Sequence, residues 1–545
     1  MPPHRLRDAF ISTQSRRSRQ EHPLPTADPR PKRFLPDRID LLVLGAVLSL
    51  CGARLLWQPG LLGSPSGEVY GHAWVQWWHG RALPSWPGGT RLALGADPWP
   101  VIDPLVTAFS AIIGRLSTPT IGYNAWIFAA IALAFLGGRR LAQHEGGDPL
   151  TGGLVLALWP ALLGSLSSGL TEDGAIGIAA FAFVYLADPQ WRRGLWAGAL
   201  LGLLAWCGLV NAWYAAFASL FLGILRGWSR REAWPGLVLG AVIAGAMVLP
   251  LALGQGERLS GVGHRSGDVM ARVEPLWRLN PWRGVDLLSL IAPGVQDPAG
   301  AMVRIHPGYL GIAPMLLALR AGWSGWWGIL LVCAGLAVGP HVSVMGQPTG
   351  LANPFALFAS HLPFGGLLNH YGRALLLGGV AMAVLAARGA MTLPARWRPL
   401  AAAIVAIDLA LLSPLPLPLP VTDATPPAVA EQLDGLSKGA VLVVPPAGPG
   451  VNFQRPLYDQ RAHTRPLLMS PNRPGLPPTL MNTDAGRWLA GLAFKDGLPP
   501  PAKIAMPPSV AVVLAMPGYA DAVAEGLGPP DRIGDDGSAA WDMRR

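Results

Sequence analysis

The run IDLLVLGAVLSLCGARLLW, residues 39–57 of this 545-residue chain, sets the fold class. A helix of about 20 apolar residues is needed to cross the hydrocarbon core of a bilayer, and runs of this kind recur along the sequence. The chain is 51% hydrophobic and only 14% charged, whereas soluble domains are about 25% charged. The sequence therefore predicts an α-helical polytopic membrane protein.

Residues 1–38 precede this run and are polar and rich in arginine. The positive-inside rule places such a segment in the cytoplasm. The segment is also too long for the charged part of a secretory signal, and no clear cleavage site follows it. We therefore expect a basic, disordered cytoplasmic arm. Inside-facing arginines account for the net charge of +10, so no nucleic-acid partner is expected.

Arginine placement predicts the topology of the following helices. Pairs such as Arg139-Arg140 and Arg192-Arg193 border apolar segments and are assigned to the cytoplasm. The chain must then cross outward and return between the two pairs, which places the turn at residues 167–174 outside. Applied along residues 39–412, the rule predicts about eleven transmembrane helices. The ranges expected as large outer loops are 58–120, 255–307 and 340–371.

The segment Pro104–Leu116 is apolar but too short for a span. Counting it as one would place Arg139-Arg140 outside. We expect an interfacial or re-entrant helix within the first outer loop.

Composition changes after residue 412. Alternating prolines and leucines predict a short, stiff spacer, and the whole linker is expected at 413–427. Residues 428–545 are predicted to form a small outer α/β domain. Its expected elements are strands at 439–444 and 509–514, helices at 484–494 and 519–527, and an edge strand at 539–543.

Two outer sites carry candidate functional side chains. Glu172 and Asp173 share one turn. Thr171 could cap that turn, with the acids facing the positive end of the next helix. Alternatively, the acids bind substrate or a divalent cation such as Mg²⁺ or Mn²⁺.

The second site lies at the outer end of a later helix. Arg373, beside His370 and Tyr371, suits a lipid phosphate through bidentate hydrogen bonds. The alternative is an arginine that extends to the lipid headgroups. Arg304 and His306 form a similar pair.

Other polar residues are assigned less specific roles. His72 and His79 are expected to contact an acceptor or the membrane interface. Asp97 and Asp103 flank prolines and are interpreted as turn or cap residues. Two residues of the C-terminal region, His463 and Arg465, are expected to be structural.

Three segments together resemble a known family. Gly67-Glu68 followed by Trp74, Trp77 and Trp78 looks like the first-loop acid-and-tryptophan pattern of the GT-C superfamily of polytopic glycosyltransferases. The segment from residue 362 to Arg373 looks like that family's Pro…Arg stretch before a late helix. Residues 441–446 and 458–466 resemble a strand and a Tyr-x-Gln-x-x-His segment of its appended outer domain. One departure is that Glu68 stands where aspartate is usual.

The resemblance implies a function. It suggests an enzyme of the bacterial inner membrane that takes a sugar from a polyprenyl-phosphate donor. The acceptor would be an extracytoplasmic glycan, lipid or protein, and membrane lipids surround the helices. Glu68 would be the general base that removes the proton of the acceptor hydroxyl. No cofactor is required, although a divalent cation (Mg²⁺ or Mn²⁺) could take part.

Two other functions remain open. One is a transporter or flippase of lipid-linked sugars, for which inverted repeats and midplane charges are expected. The other is a non-catalytic scaffold for envelope assembly.

Overall fold

The structure is a computed structural model, and the ranges that it describes are 36–81, 103–186, 191–229, 231–253, 284–293, 307–355, 371–415, 417–446, 448, 451–469, 476, 478–494, 499–502 and 504–544. Most of the predicted cytoplasmic arm and of the outer loop at 255–307 lies outside these residues.

The first part of the chain is helical. Its helices are α1 (Arg38–Gly52), α2 (Val69–Arg81), α3 (Pro104–Leu116), α4 (Pro119–His144), α5 (Pro149–Ala157), α6 (Pro160–Ser167) and α7 (Ile176–Tyr185). Helices α3 to α6 each begin at a proline, which loses nothing at the first helical position because the N–H there has no partner within the helix. Thr118 and Asp148 cap α4 and α5 through their side chains.

The helices that follow are α8 (Trp191–Cys207), α9 (Leu209–Ser229), α10 (Arg231–Leu253), α11 (Ile312–Leu319), α12 (Gly325–Ala337), α13 (Ala374–Met391) and α14 (Arg398–Ile407). The chain breaks between α8 and α9 at Gly208. Pro104–Leu116 is helical over its full predicted length, and its exposed side chains include Phe109, Ile112 and Leu116. Such an apolar outer face is typical of a helix that lies in the membrane interface.

Five helical segments of the described residues are long and apolar enough to cross a membrane. They are Arg38–Leu56, Pro119–His144, Pro149–Ser167, Arg231–Leu253 and Tyr371–Met391. The chain is therefore a mostly helical membrane protein. The predicted total of eleven spans also counts shorter helices, such as Leu209–Leu225 and Gly325–Ala337, and stays a prediction.

Small residues bring the central helices into close contact. A Cβ added at Gly137 of α4 would lie 2.5 Å from the carbonyl oxygen of Gly177 in α7, and one at Gly138 would lie 2.5 Å from that of Gly152 in α5. Only glycine permits this approach, as is common between membrane helices. Helix α13 contacts α4, α5, α11 and α12 and is buried along nearly its whole length, so it forms the centre of the bundle.

A buried ion pair joins helices α1 and α4 at the opposite end of this bundle. Nη2 of Arg139 lies 2.6 Å from Oδ2 of Asp40, which belongs to the first turn of α1. The start of α1 and the end of α4 therefore lie together, away from the acidic turn at Glu172.

The strands are β1 (Leu61–Leu62), β2 (His341–Val344), β3 (Gln347–Ala352), β4 (Val421–Thr422), β5 (Ala440–Val444), β6 (Val510–Ala515), β7 (Arg532–Ile533) and β8 (Ala539–Asp542). Helices α15 (Arg455–His463), α16 (Pro478–Met481), α17 (Asp484–Gly491) and α18 (Ala520–Leu527) accompany the C-terminal strands. These strands form a sheet in the order β5-β6-β8-β7, with β5 and β6 parallel. The prediction of an edge strand at 539–543 was wrong, because β7 pairs with the far side of β8.

The predicted linker at 413–427 does more than act as a stiff spacer. Its end forms β4, which pairs with β1 in the first outer loop, so that Leu61 lies opposite Thr422. Gly63 also donates its backbone N–H to the carbonyl oxygen of Pro420. These contacts hold the C-terminal region against the loop that carries Glu68.

Candidate functional site

The loop that carries Glu68 is fixed to the acidic turn by backbone contacts. The N–H of Ser64 donates to the carbonyl oxygen of Ser167 at 2.6 Å, and that of Glu68 donates to Ser168 at 2.7 Å. Gly169 has φ +87, and a Cβ there would lie 2.4 Å from the nitrogen of Val69. A side chain at Gly169 would push the two segments apart. This junction places Glu68 and Glu172 in one cluster.

His72 lies at the centre of this cluster. Its Nε2 is 3.7 Å from Oε2 of Glu68 and 3.9 Å from Oε2 of Glu172. Its Nδ1 is 3.8 Å from Oδ2 of Asp103. Three carboxylates therefore surround one imidazole. Glu68 is half-exposed, with 50% of its side chain accessible, whereas Glu172 and Asp103 are buried.

Thr171 connects His72 to Asp103. Its hydroxyl donates to Oδ2 of Asp103 at 3.0 Å, and its oxygen is 3.0 Å from Nδ1 of His72. Because the hydroxyl proton goes to Asp103, the Nδ1–H of His72 is the donor in the second bond. The proposed capping role of Thr171 was wrong, since the 3₁₀ turn at Thr171–Ala175 has no side-chain cap. Asp103 likewise makes no cap bond to α3; its other oxygen accepts from Thr107 at 3.0 Å.

Arg373 forms ion pairs with two acids of the cluster. Its Nη2 lies 2.6 Å from Oε1 of Glu172, and its Nε lies 3.3 Å from Oδ2 of Asp173. Asn211, at the start of α9, donates to Oδ1 of Asp173 at 2.9 Å. The fork of Arg373 that was predicted to bind a lipid phosphate is thus engaged by two acids.

Electrostatics favour a protonated imidazole. Burial alone lowers the pKa of His72, but hydrogen bonds to Asp103 and Glu68 and the charge of Glu172 outweigh it, so its pKa is raised well above the usual 6.5. Burial raises the pKa of Glu172, against the opposing effect of the Arg373 and His72 charges. Four carboxyl groups share two cationic side chains here, and the cluster attracts further positive charge.

Three of these residues fit a divalent cation, whose binding would displace the proton from Nε2 of His72. One ligand atom each from His72, Asp103 and Glu172 lies within 4.8 Å of the other two, and Oε2 of Glu172 is buried without a hydrogen bond to a described residue. Imidazole nitrogen with carboxylate oxygens is a donor set for Mn²⁺ or Zn²⁺ more than for Mg²⁺. The predicted pair Glu172-Asp173 is not the set that converges, because Asp173 turns toward Arg373 and Asn211.

The structure brings together four of the residues proposed from the sequence. They are Glu68, Glu172, Asp173 and Arg373. Tyr371 is buried two residues before Arg373, with its ring within 3.8 Å of the Cβ position of Gly339. The candidates His370, Arg304 and His306, and also Asp97, lie outside the described residues.

Sequence reasoning missed several members of the cluster. His72 was assigned to acceptor contacts or the membrane interface, Asp103 to a turn or cap and Thr171 to a cap, and Asn211 was assigned no role. One signal was present in the sequence. His72 follows Glu68 by four residues, which places both on one helical face. Asp103 and Asn211 carry no such local signal.

The C-terminal region supports α2 from outside. Nε1 of Trp74 donates to Oε1 of Gln460 at 2.9 Å, and Nδ2 of Asn452 donates to the carbonyl oxygen of Gly67 at 3.0 Å. His463 and Arg465, expected to be structural, make contacts within their own region. Arg465 donates to the carbonyl oxygen of Ser437 at 2.9 Å.

No protein-family model matches this chain, and no curated protein matches it significantly. Among solved structures, the crystal structure of ArnT from Cupriavidus metallidurans in the apo state is similar. The alignment covers 92% of this chain and 96% of that chain, with 14% sequence identity and a TM-score of 0.36.

Proposed function

We propose that this protein is a glycosyltransferase of the bacterial inner membrane that transfers a sugar from a polyprenyl-phosphate donor to an extracytoplasmic acceptor. The observation that carries the proposal is the half-exposed carboxylate of Glu68 at the rim of a buried cluster of acids, His72 and Arg373. The sequence resemblance to GT-C glycosyltransferases, which rests partly on Gly67-Glu68, supports the same function. A lipid-phosphate leaving group explains why no nucleotide-binding motif is needed.

Glu68 is the proposed general base. The acceptor oxygen attacks the anomeric carbon, the bond from that carbon to the phosphate oxygen breaks, and the hydroxyl proton passes to the carboxylate of Glu68. The electron pair of the broken bond leaves with the polyprenyl phosphate. Proton transfer of this kind contributes typically 10²–10⁴-fold to rate. Exposure suits Glu68 to the role, because its carboxylate is accessible where those of Glu172 and Asp103 are buried.

The remaining residues are proposed to position the reacting groups and to balance their charge. Arg373 holds Glu172 and Asp173 in place, and its guanidinium is the group proposed to bind the phosphate of the sugar donor. His72, Asp103 and Glu172 would hold a divalent cation, which would supply positive charge beside the departing phosphate. The C-terminal domain is proposed to lie outside the membrane. It supports α2 through the hydrogen bond from Trp74 to Gln460.

The test is a transfer assay with the full chain reconstituted in nanodiscs. Polyprenyl-phosphate sugars labelled in the sugar are supplied with membrane extracts as acceptor, and product is followed by mass spectrometry. Glycolipids of cells with and without the protein are profiled in parallel. Sugar transfer that is lost when Glu68 is replaced supports the proposed glycosyltransferase function. Movement of labelled lipid across the bilayer without sugar transfer would instead identify a flippase. Absence of both activities would favour a non-catalytic scaffold.

A further inference from the structure

The stretch of chain that carries Glu68 is held from two sides. From the helical bundle, the carbonyl oxygen of Ser168 accepts from the N–H of Glu68 at 2.7 Å. From the other side, the C-terminal region contacts the residues just before and just after Glu68. Half of the Glu68 side chain is exposed, so the position of its carboxylate depends largely on the backbone that carries it.

Asn452 of the C-terminal region holds the residues that precede Glu68. Its Nδ2 donates to the carbonyl oxygen of Gly67 at 3.0 Å and also to that of Pro65. An amide nitrogen carries two hydrogens, so these two bonds use its full capacity as a donor. The bond to Gly67 joins positions 385 residues apart in the chain. Asn452 thus fixes two carbonyl groups of the turn at residues 64–67, which leads directly into Glu68.

The amide of Asn452 is itself held in one orientation. Its Oδ1 accepts from the N–H of Gln454 at 2.9 Å, and its backbone carbonyl oxygen accepts from the N–H of Arg455 at 3.0 Å. A side-chain bond to the N–H two residues ahead is an Asx turn, and this one lies just before α15. Two carbonyl oxygens on one side require the amide nitrogen, and the N–H of Gln454 requires the amide oxygen. The orientation of the side chain is therefore determined by its partners.

Helix α15 packs on α2 just beyond Glu68. Nη1 of Arg455 donates to the hydroxyl of Tyr70 at 2.6 Å, and the guanidinium carbon lies 4.9 Å from the centre of the Tyr70 ring. One turn later, Nε1 of Trp74 donates to Oε1 of Gln460 at 2.9 Å. The C-terminal region therefore holds the chain on both sides of Glu68.

We propose that Asn452 is a positioning residue for the reaction, which places the carboxylate of Glu68 at the rim of the cluster by holding Pro65 and Gly67. The role in catalysis rests on the proposed function, whereas the hold on the loop does not. A misplacement of a reacting group by about 1 Å can cost about 10²-fold in rate, so two hydrogen bonds at this point can govern turnover. The C-terminal region is then part of the catalytic unit.

Asn452→Asp tests the proposal with the least change in shape. It keeps the oxygen that accepts from Gln454, but it replaces the donor Nδ2 with an oxygen that repels the carbonyl groups of the loop. In the full chain in nanodiscs, with labelled polyprenyl-phosphate sugars and membrane extract, we expect kcat to fall about 10- to 100-fold with little change in the KM for the labelled donor. Asn452→Gln keeps the donor and should retain more activity. Asn482→Asp, on an exposed residue of the same region, is the matched control and should transfer as wild type does.

Hydrogen exchange of backbone amides, followed by mass spectrometry, separates positioning from a general loss of stability. Asn452→Asp should speed exchange in the peptide that covers residues 64–70, where the N–H groups of Ser64 and Glu68 are hydrogen-bonded. Exchange in strands β5 and β6 should stay as in wild type. If Asn452→Asp does not fold, Asn452→Ala, which adds no negative charge, carries the same test. Faster exchange throughout the C-terminal sheet in both variants would overturn the positioning role.

The outcome can be told apart from that of the proposed function. If wild type transfers sugar and the folded Asn452 variants transfer equally well, the positioning role is wrong and the enzyme is kept. If wild type transfers nothing, the proposed function is wrong, and exchange at residues 64–70 decides whether Asn452 holds the loop. Unchanged exchange there in the folded variants would overturn that hold.

Discussion

Nη2 of Arg373 lies 2.6 Å from Oε1 of Glu172, and both side chains are buried. The two residues are 201 positions apart in the chain, so the contact ties the start of the central helix α13 to the acidic turn. Removing one partner of a buried ion pair leaves an uncompensated charge, which typically costs about 3–5 kcal/mol. The pair therefore links the stability of the bundle to the geometry of the site.

Replacement of Arg373 should reduce both stability and donor binding. We expect Arg373→Ala to lower the free energy of unfolding by about 3–5 kcal/mol, measured by denaturation in detergent. Arg373→Lys should lose less, because lysine keeps the charge but cannot reach Glu172 and Asp173 with a fixed fork. Arg388→Ala, on the same helix at its other end, is the control. An unfolding free energy of Arg373→Ala equal to that of wild type would mean that the pair is not formed.

The predicted cation site can be tested with Mn²⁺ alone. Electron paramagnetic resonance of the full chain should report one bound Mn²⁺ in the wild type. His72→Ala should weaken binding about tenfold or more, since even loss of an outer hydrogen-bond partner costs a metal site that much. Asp173→Asn should bind nearly as wild type does, because Asp173 faces Arg373 and Asn211. Equal Mn²⁺ affinity in wild type and His72→Ala would exclude this ligand set.

The sequence was sufficient for features that depend on local pattern. Apolar length identified α1, and the shorter apolar run Pro104–Leu116 was correctly predicted to be a helix. Short apolar runs predicted the positions of strands β5 and β6. Glu172 and Asp173 could be singled out because they share one turn beside an apolar run, and Glu68 because Gly67-Glu68 resembles the first-loop pattern of the GT-C family.

Features set by tertiary contact could not be predicted in the same way. The turn residues at 167–170 give no indication that they hold the loop of Glu68, because that contact depends on backbone hydrogen bonds and on the space at Gly169. Asp103 has the sequence context of a cap, and only the packing of α3 on α2 directs its carboxylate to His72. The pairing of β1 with β4 joins segments 360 residues apart, a separation over which a proline-rich run gives no register.

The membrane sidedness predicted from the arginines should hold for the segments that form the cluster. The segment at Pro420 and the turn at Ser167 both bond to residues 63–64, so they lie on one side of the membrane. Helix α7 follows α4 toward the Arg139 end, since Gly177 packs on Leu133. Reporters inserted at Gly169 and after Pro420 should read extracytoplasmic, and one at Arg192 cytoplasmic. A cytoplasmic reading after Pro420 would change the number of spans by one.

The stability of the C-terminal region should fall in mild acid. Burial, helped by the charge of Arg465, lowers the pKa of His463 to about 4, and its Nδ1 accepts from the N–H of Arg465 at 3.1 Å. The unfolded chain takes up a proton near pH 6.5 and the folded one only near pH 4. Stability is therefore lost as pH falls through this window, by about 1–2 kcal/mol between pH 7 and 5.

The measurement compares unfolding at pH 7 and pH 5, followed by tryptophan fluorescence, in wild type and His463→Gln. Glutamine cannot be protonated, so the variant should show a smaller loss between the two pH values. Identical losses in both proteins would assign the pH dependence to other groups.

Substitution of Glu68 tests the proposed mechanism most directly. Glu68→Gln keeps the size and hydrogen bonding of the side chain but removes the base, so turnover should fall by about 10²–10⁴-fold with little change in donor affinity. Glu68→Asp should keep part of the activity, because it retains a carboxylate at the mouth of the cluster. Glu525→Gln, an exposed acid on α18, is the matched control and should transfer as wild type does. The measurement is single-turnover transfer in nanodiscs with donor binding followed separately. Wild-type turnover by Glu68→Gln would remove Glu68 from the chemistry, and loss of donor binding in the same variant would make Glu68 a binding residue instead.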